Sequence, residues 1–239
     1  MTRFSSIESL TSVDLFCGAG GIAEGFRQAG FNCLYGNDIN AHAVQTFAAN
    51  HPYAIADNRP ICEVSPLARR KRLGIKRGEL TALVGGPPCQ GFSINAPARF
   101  TQDPRTALFP HYLDFLDEFQ PKTLLFENVP GMLSLAEGRI FEQITRQIAR
   151  RGYQLSVQIL FAAHYGGPQE RWRLIIMGSA EGNAPTPPLP THAAIGRANS
   201  RGGSSMTFKI PPLHRAVLPP GVTVQQALGD LPPIRMGEG

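Results

Sequence analysis

The apolar run Val13-Asp14-Leu15-Phe16 passes directly into Cys17-Gly18-Ala19-Gly20-Gly21, and a helical pattern follows over residues 22–29. Few folds place that much glycine between a strand and a helix. Glycine lets backbone N–H groups approach a ligand at the helix N-terminus, where a helix favours electron-rich groups. Gly30 closes the helix, Cys33-Leu34-Tyr35 reads as a second strand ending at Gly36-Asn37-Asp38, and Ala41–Asn50 reads as a second helix. Strand, glycine turn, helix, strand, acidic residue, helix is the opening of a doubly wound α/β fold. Further strands are expected at residues 81–84, 123–126, 155–160 and 173–177, with helices at 108–119 and 140–150 between them. Alternation of this kind predicts a mostly parallel, Rossmann-like sheet covered on both faces.

With 239 residues, 42% of them hydrophobic and 17% charged, the chain can bury a sizeable core and is not disordered in composition. Ten of its 21 prolines fall in the last 59 residues, a stretch that cannot carry long helices or central strands. Residues 1–180 are therefore expected to form the folded domain and 181–239 a Pro/Gly-rich connection leaving it. The four cysteines (Cys17, Cys33, Cys62, Cys89) form no Cys-x-x-Cys pair and show no ligand spacing with histidine, so no metal site is expected. The residues before Ser12 lack a signal-peptide pattern, and no apolar run approaches the ~18 residues of a membrane span. A cytoplasmic protein with reduced thiols and no membrane partner is expected. The net charge of +5 permits a nucleic-acid partner without requiring one.

The other informative segment is Gly85-Gly86-Pro87-Pro88-Cys89-Gln90-Gly91-Phe92-Ser93, fed by the apolar residues Ala82-Leu83-Val84. Two prolines fix φ and remove two backbone donors, which makes a stiff loop at the carboxyl end of a strand. Open α/β sheets place their chemistry there. Cys89 at its tip is either a nucleophile presented to a crevice or a buried, inert thiol. The cluster Arg69-Arg70-Lys71-Arg72 with Lys76-Arg77 reads most simply as a solvated helix face, phosphate contact being the lesser alternative.

The glycine turn lacks the Gly-x-Gly-x-x-Gly spacing of a dinucleotide site, and no Lys-Ser/Thr follows as in a phosphate-binding loop. Asp38 lies 20 residues beyond Gly18, at the end of the next strand, where a carboxylate can accept from both hydroxyls of a ribose. Each feature alone would be an ordinary turn or cap. Together they point to an adenosine-containing ligand without a pyrophosphate, which describes S-adenosylmethionine.

Three more segments complete a set: Phe126-Glu127-Asn128-Val129, Tyr165-Gly166-Gly167-Pro168-Gln169-Glu170-Arg171-Trp172-Arg173 and Asp103-Pro104-Arg105. With the Cys89 loop and the glycine turn, and in this order, they resemble the DNA cytosine-5 methyltransferase family of bacterial restriction–modification type. The resemblance runs from about Ser12 to Gly178 and continues weakly through residues 223–233. It implies that Phe16, Gly18 and Gly21 line an S-adenosylmethionine site, that Asp38 holds the ribose and that Ile39 flanks the adenine. Asp57 would approach the adenine amino group, and Pro88 and Leu108 would complete the cofactor wall. Cys89 would be the nucleophile and Glu127 the acid that recognises cytosine. Arg171 and Arg173 would serve the flipped base and the catalytic loop.

The chemistry that the resemblance implies explains these residue types. Cytosine C5 is a poor nucleophile until a thiolate adds at C6. That addition pushes charge toward N3, where an acid must donate, while an arginine facing O2 stabilises the developing charge. The target must first leave the duplex. The family's target-recognition region and two further motifs are not in this sequence, which would make it a fragment, one chain of a split enzyme or a decayed gene product. The expected partners are double-stranded DNA and, for a split enzyme, a second polypeptide supplying that region and those motifs. Two other readings stay open: an RNA cytosine-5 methyltransferase of the same fold, and a non-catalytic cofactor- or DNA-binding subunit.

Overall fold

The computed structural model describes residues 9–88, 108–195 and 217–232. Seven strands form one sheet: β1 (Thr11–Leu15), β2 (Asn32–Asn37), β3 (Ile55–Asp57), β4 (Ala82–Gly85), β5 (Thr123–Asn128), β6 (Gln154–Phe161) and β7 (Trp172–Ser179). Their order is β3-β2-β1-β4-β5-β7-β6. The pairings from β3 through β5 are all parallel, and β7 runs antiparallel to both of its neighbours. The helices are α1 (Gly21–Gln28), α2 (Ala41–Asn50), α3 (Pro66–Arg72), α4 (Leu108–Phe119), α5 (Arg139–Ala149) and the short α6 (Val224–Leu228). The doubly wound, mostly parallel sheet is the expected fold.

The period of two along each strand divides the side chains between two faces. Val13 and Leu15 of β1, Leu83 of β4, Leu124 and Phe126 of β5, and Leu174 and Ile176 of β7 share one face. There they pack in one cluster with Tyr112, Phe115, Leu116 and Phe119 of α4 and Ile144 and Ile148 of α5. Burying each such side chain contributes about 1.5–3 kcal/mol before entropy is counted. On the opposite face Cys17, Ala23, Cys33 and Phe47 form a smaller cluster under α1 and α2. Beyond it Leu125, Ile175 and Met177 lie only half-buried. Gly36 is required by this packing, since a Cβ there would lie 2.3 Å from Cζ of the buried Phe47.

β3 went unforeseen, and the basic cluster was misjudged. β3 is three residues long, too short for an alternation to register. The basic cluster lies on α3 and the loop after it, but it is not simply a solvated face. Arg69 is buried against Asp57, while Arg70 and Arg77 pair with Glu118 of α4 at 2.7 and 2.5 Å. Those three charges tie α3 and its loop to the body of the domain. In the sheet, connections lead outward in opposite directions from β1 and β4, and the reversal leaves a crevice at their carboxyl ends.

Candidate active site

The glycine turn enters that crevice from β1. Phe16 adopts φ 59°, a left-handed conformation that costs a non-glycine residue about 1–3 kcal/mol, and such strain gathers at functional sites. Cys17 N–H donates to the Asn37 carbonyl at 3.0 Å, which fixes the turn to the end of β2. Gly20 has φ 96°, and a Cβ on it would come within 2.8 Å of Nε2 of the buried His51. Only glycine fits. No heavy atom lies within 4 Å of where a Cβ would stand at Gly18 or Gly21.

Asp38 stands beside this turn. Its Oδ2 accepts from Gly18 N–H and its Oδ1 from Asn40 N–H, both at 2.9 Å. Each oxygen keeps a lone pair for another donor. Ile39 next to it is 71% exposed. Asp14 lies beneath the turn, fully buried, with Oδ2 accepting from Ala23 N–H of α1 at 3.2 Å and Oδ1 without a partner. Burial, with a smaller push from the charge of Asp38, holds its carboxyl up at about 8 against the one hydrogen bond from Ala23 N–H. Burial likewise pushes the thiol of Cys33 to about 11 and raises that of Cys17, so neither is a ready thiolate.

Asp57 departs from expectation. Strand parity places it on the same face as Ile55, and the register sets Tyr35 opposite Ile55. Its carboxylate therefore points into the molecule and is 7% exposed. Oδ1 accepts from the backbone and Nε of Arg59, at 3.2 and 3.0 Å. Oδ2 accepts from the Tyr35 hydroxyl at 3.0 Å, from Arg59 Nη2 at 2.8 Å and from Arg69 Nη2. Burial alone would raise this carboxyl, but the bonds from Arg59 and Tyr35 and the charge of Arg69 hold it at about 2. The guanidinium of Arg69 also stacks over the Tyr35 ring at 4.6 Å. Asp57 is the centre of an internal ion cluster rather than a free acceptor in the crevice.

On the other side, β4 and β5 end together. Glu127 Oε1 meets Arg173 Nε of β7 at 2.5 Å, with the two side chains 25% and 23% exposed. A Cβ at Gly86 would lie 2.7 Å from Glu127 Oε2, so the glycine gives the carboxylate its place. Asn128 is buried, and its Nδ2 donates to the Pro87 carbonyl at 2.9 Å while its Oδ1 accepts from Val129 N–H. This bond anchors the proline loop to β5. Pro88 is exposed at the loop's outer end, Leu108 opens α4 packed against the core, and Arg171 lies exposed just before β7. Cys89 and the segment Asp103-Pro104-Arg105 lie outside the described residues.

The fold thus brings Phe16, Gly18, Gly21, Asp38 and Ile39 to one half of the crevice and Glu127 and Arg173 to the other. Sequence reasoning missed Gly20 with His51, and Asn58, whose Nδ2 donates to the Ile39 carbonyl at 3.2 Å. It also gave Asn128 no role of its own, although the proline loop leaves a carbonyl in need of a donor. Among the described residues no cluster of three or more His, Cys, Asp or Glu could hold a metal, and no helix is long and apolar enough to cross a membrane.

Comparison with known proteins agrees with this geometry. The chain is 40% identical over 225 residues to the type II methyltransferase M.AgeI of Thalassovita gelatinovora, covering 93% of this chain and 51% of that one. It is 31% identical to the type II methyltransferase M.AquIA of Picosynechococcus, covering 92% of this chain and 88% of that one. The chain spans about half the length of three curated relatives it matches, M.AgeI among them. An E. coli prophage-encoded DNA modification methyltransferase of known structure superposes with a TM-score of 0.67 at 26% identity, covering 95% of this chain and 56% of that one. The model of the C-5 cytosine-specific DNA methylase family matches residues 10–211, and the chain belongs to that family.

Proposed function

We propose that this chain carries the cofactor-binding and reacting half of a DNA cytosine-5 methyltransferase of the restriction–modification type. The observation that carries the reading is the Glu127–Arg173 pair, set at the ends of β5 and β7 beside the anchored proline loop and across from the glycine turn. The residues present fit S-adenosylmethionine. Asp38 has two unspent lone pairs for ribose hydroxyls, open space surrounds Gly18 and Gly21, and Ile39 offers an exposed apolar flank. Phe16, Gly18, Gly21 and Asp38 would hold it, with Pro88 and Leu108 closing the wall and Asp57 bracing the floor from within. When bound, that cofactor supplies a methyl group made electrophilic by its sulfonium.

The chain's own residues account for the rest. Cys89 follows Pro88 directly and would add to C6 of a flipped cytosine, raising electron density at C5. Glu127 would give a proton to N3 as charge arrives there. Arg173, held to Glu127, would face O2 and stabilise the charge it gains, while Arg171 would steady the catalytic loop. Two of the other three cysteines are buried with raised thiols, which leaves them unsuited to this addition.

Duplex DNA would be the substrate, with residues 181–239 connecting to a target-recognition region from a start docked on the catalytic body, where Thr191 and His192 N–H donate to the His164 carbonyl. A second polypeptide supplying that region would also cover the half-buried stripe Leu125, Ile175 and Met177, an apolar surface of the kind that marks interaction sites.

Trapping tests the reading. The chain, assembled with its recognition half, should form a denaturation-resistant complex with DNA containing 5-fluorocytosine, because fluorine at C5 blocks release of the thiol. Cys89→Ser should abolish it. Equal trapping by Cys89→Ser would remove the nucleophile. Trapping on RNA in preference to DNA would move the substrate, and cofactor binding with no trapping would reduce the chain to a non-catalytic subunit.

A further inference from the structure

The turn between β6 and β7, which hands Arg171 and Arg173 to the crevice, is fastened from within and from outside. From within, Ala162 N–H donates to the Arg171 carbonyl at 2.9 Å and Gly167 N–H to the Ala162 carbonyl at 3.1 Å. From outside, the start of the connection docks on it. Thr191 and His192 N–H donate to the His164 carbonyl at 2.8 and 3.0 Å, and the Tyr165 hydroxyl donates to the Pro188 carbonyl at 3.0 Å. Gly166 makes room for this, since a Cβ on it would lie 3.0 Å from Cε1 of His192. The connection then passes the same place a second time. Ala193 N–H donates to the Pro219 carbonyl at 2.8 Å and Gly221 N–H to the Ala193 carbonyl at 3.0 Å, a parallel bridge between the two passes. One side chain adds to these backbone bonds. His164 is 8% exposed, and its Nε2 lies 3.1 Å from the Ala194 carbonyl, which can only accept, so Nε2 carries the proton. The same ring meets Phe161 edge-on with centroids 5.0 Å apart, and Phe161 stacks on Trp172 at 4.2 Å.

We infer that His164 is a positioning residue for methyl transfer: its imidazole fastens the connection to the β6–β7 turn and so fixes Arg173 against Glu127. The inference rests on the proposed reaction and adds a group that touches neither cofactor nor base. Arg173 places Nη1 on the Trp172 carbonyl at 2.7 Å and Nε on Glu127 Oε1 at 2.5 Å, so a shift at the start of β7 moves the pair directly. Trp172 is held by Phe161, and Phe161 by the His164 ring, whose far side is tied to Ala194. Without the imidazole donor the Ala194 carbonyl would lose its partner, and the ring behind Phe161 its anchor. The segment that leads toward a target-recognition region and the arginine that serves the reaction therefore move as one body.

Two variants separate the donor from the packing. His164→Phe keeps a ring against Phe161 but has no donor for Ala194, whereas His164→Gln carries an N–H donor the same number of bonds from Cα. Amide exchange on the full chain should show Ala193 and Gly221 losing protection by about 2- to 12-fold in His164→Phe, the range of one neutral hydrogen bond. The amides of β5 should be unchanged, and His164→Gln should match the parent throughout. In the chain assembled with its recognition half, kcat should fall by a similar factor in His164→Phe, with KM for S-adenosylmethionine unchanged, and return in His164→Gln. Unchanged exchange at Ala193 and Gly221, a parental kcat in His164→Phe, an equal change in kcat and KM, or no recovery in His164→Gln would each overturn the role and leave the reaction in place. A parent assembly that transfers no methyl group to DNA would overturn the reaction itself and this inference with it.

Discussion

The two halves of the crevice are built by different means. The half at β1 and β2 is shaped by backbone: a left-handed Phe16, glycines at 18 and 20, and amide bonds onto Asn37 and Asp38. The half at β4, β5 and β7 is shaped by side chains: Asn128 holds Pro87, and Arg173 holds Glu127. The contrast matches what the proposed function asks of each half. A cofactor site needs a close approach to backbone, which glycine gives cheaply. A reacting site needs groups that hold and give protons, and only side chains carry them. One half should therefore tolerate side-chain changes that the other does not.

Glu127→Gln should break the comparison most visibly. The amide keeps shape but cannot give a proton to N3, so single-turnover methyl transfer by the active assembly should slow by about 10²–10⁴-fold. Cofactor affinity, set in the other half, should stay within about twofold of the parent, a difference of roughly 0.4 kcal/mol. Rates near the parental value would remove Glu127 from the chemistry.

Asn128→Ala should have a smaller effect of a different kind. It strands the buried Pro87 carbonyl, which costs about 1–3 kcal/mol, and takes the side-chain acceptor from Val129 N–H. Urea unfolding should show that loss. Methyl transfer should fall more than cofactor affinity, because the loop loosened is the one that leads to Cys89. An equal fall in both would mean that the halves are mechanically one.

How far this was readable from sequence differs between the halves in the same way. The glycine turn announces itself because a run of glycine after an apolar strand has few other uses. α2 begins and ends where its pattern places it and α4 ends where its pattern does, the first of them capped by Asn40, whose Oδ1 accepts from Ala43 N–H. The Asn128–Pro87 bond spans 41 residues, and no local pattern encodes it. Asp57 shows the limit most clearly. Its role came only from the resemblance, and its direction depends on the parity of a three-residue strand and on Arg69, 12 residues on. Both faces of such a strand look alike in sequence until the neighbouring register is known. The arginines of α3 were misjudged for the same reason, because their carboxylate partners lie on β3 and α4.

The smallest effect concerns Asp14, a buried side chain beneath the backbone-built half. Folded, Asp14 keeps its proton up to about pH 8, whereas in the unfolded chain it releases it near 3.8. Between those values the folded state binds more protons than the unfolded state, so stability falls as pH rises across the window. Asparagine at this position cannot ionise, and its amide oxygen can still accept from Ala23 N–H. Asp14→Asn should therefore gain on the parent as pH rises, by at most about 1.4 kcal/mol between pH 6 and 7. Urea midpoints at the two pH values measure this, and cofactor affinity at pH 6 should be unchanged. A gap between variant and parent that does not move with pH would mean that Asp14 is already ionised beneath the turn. The turn would then rest on a buried charge, and the backbone alone could not account for its shape.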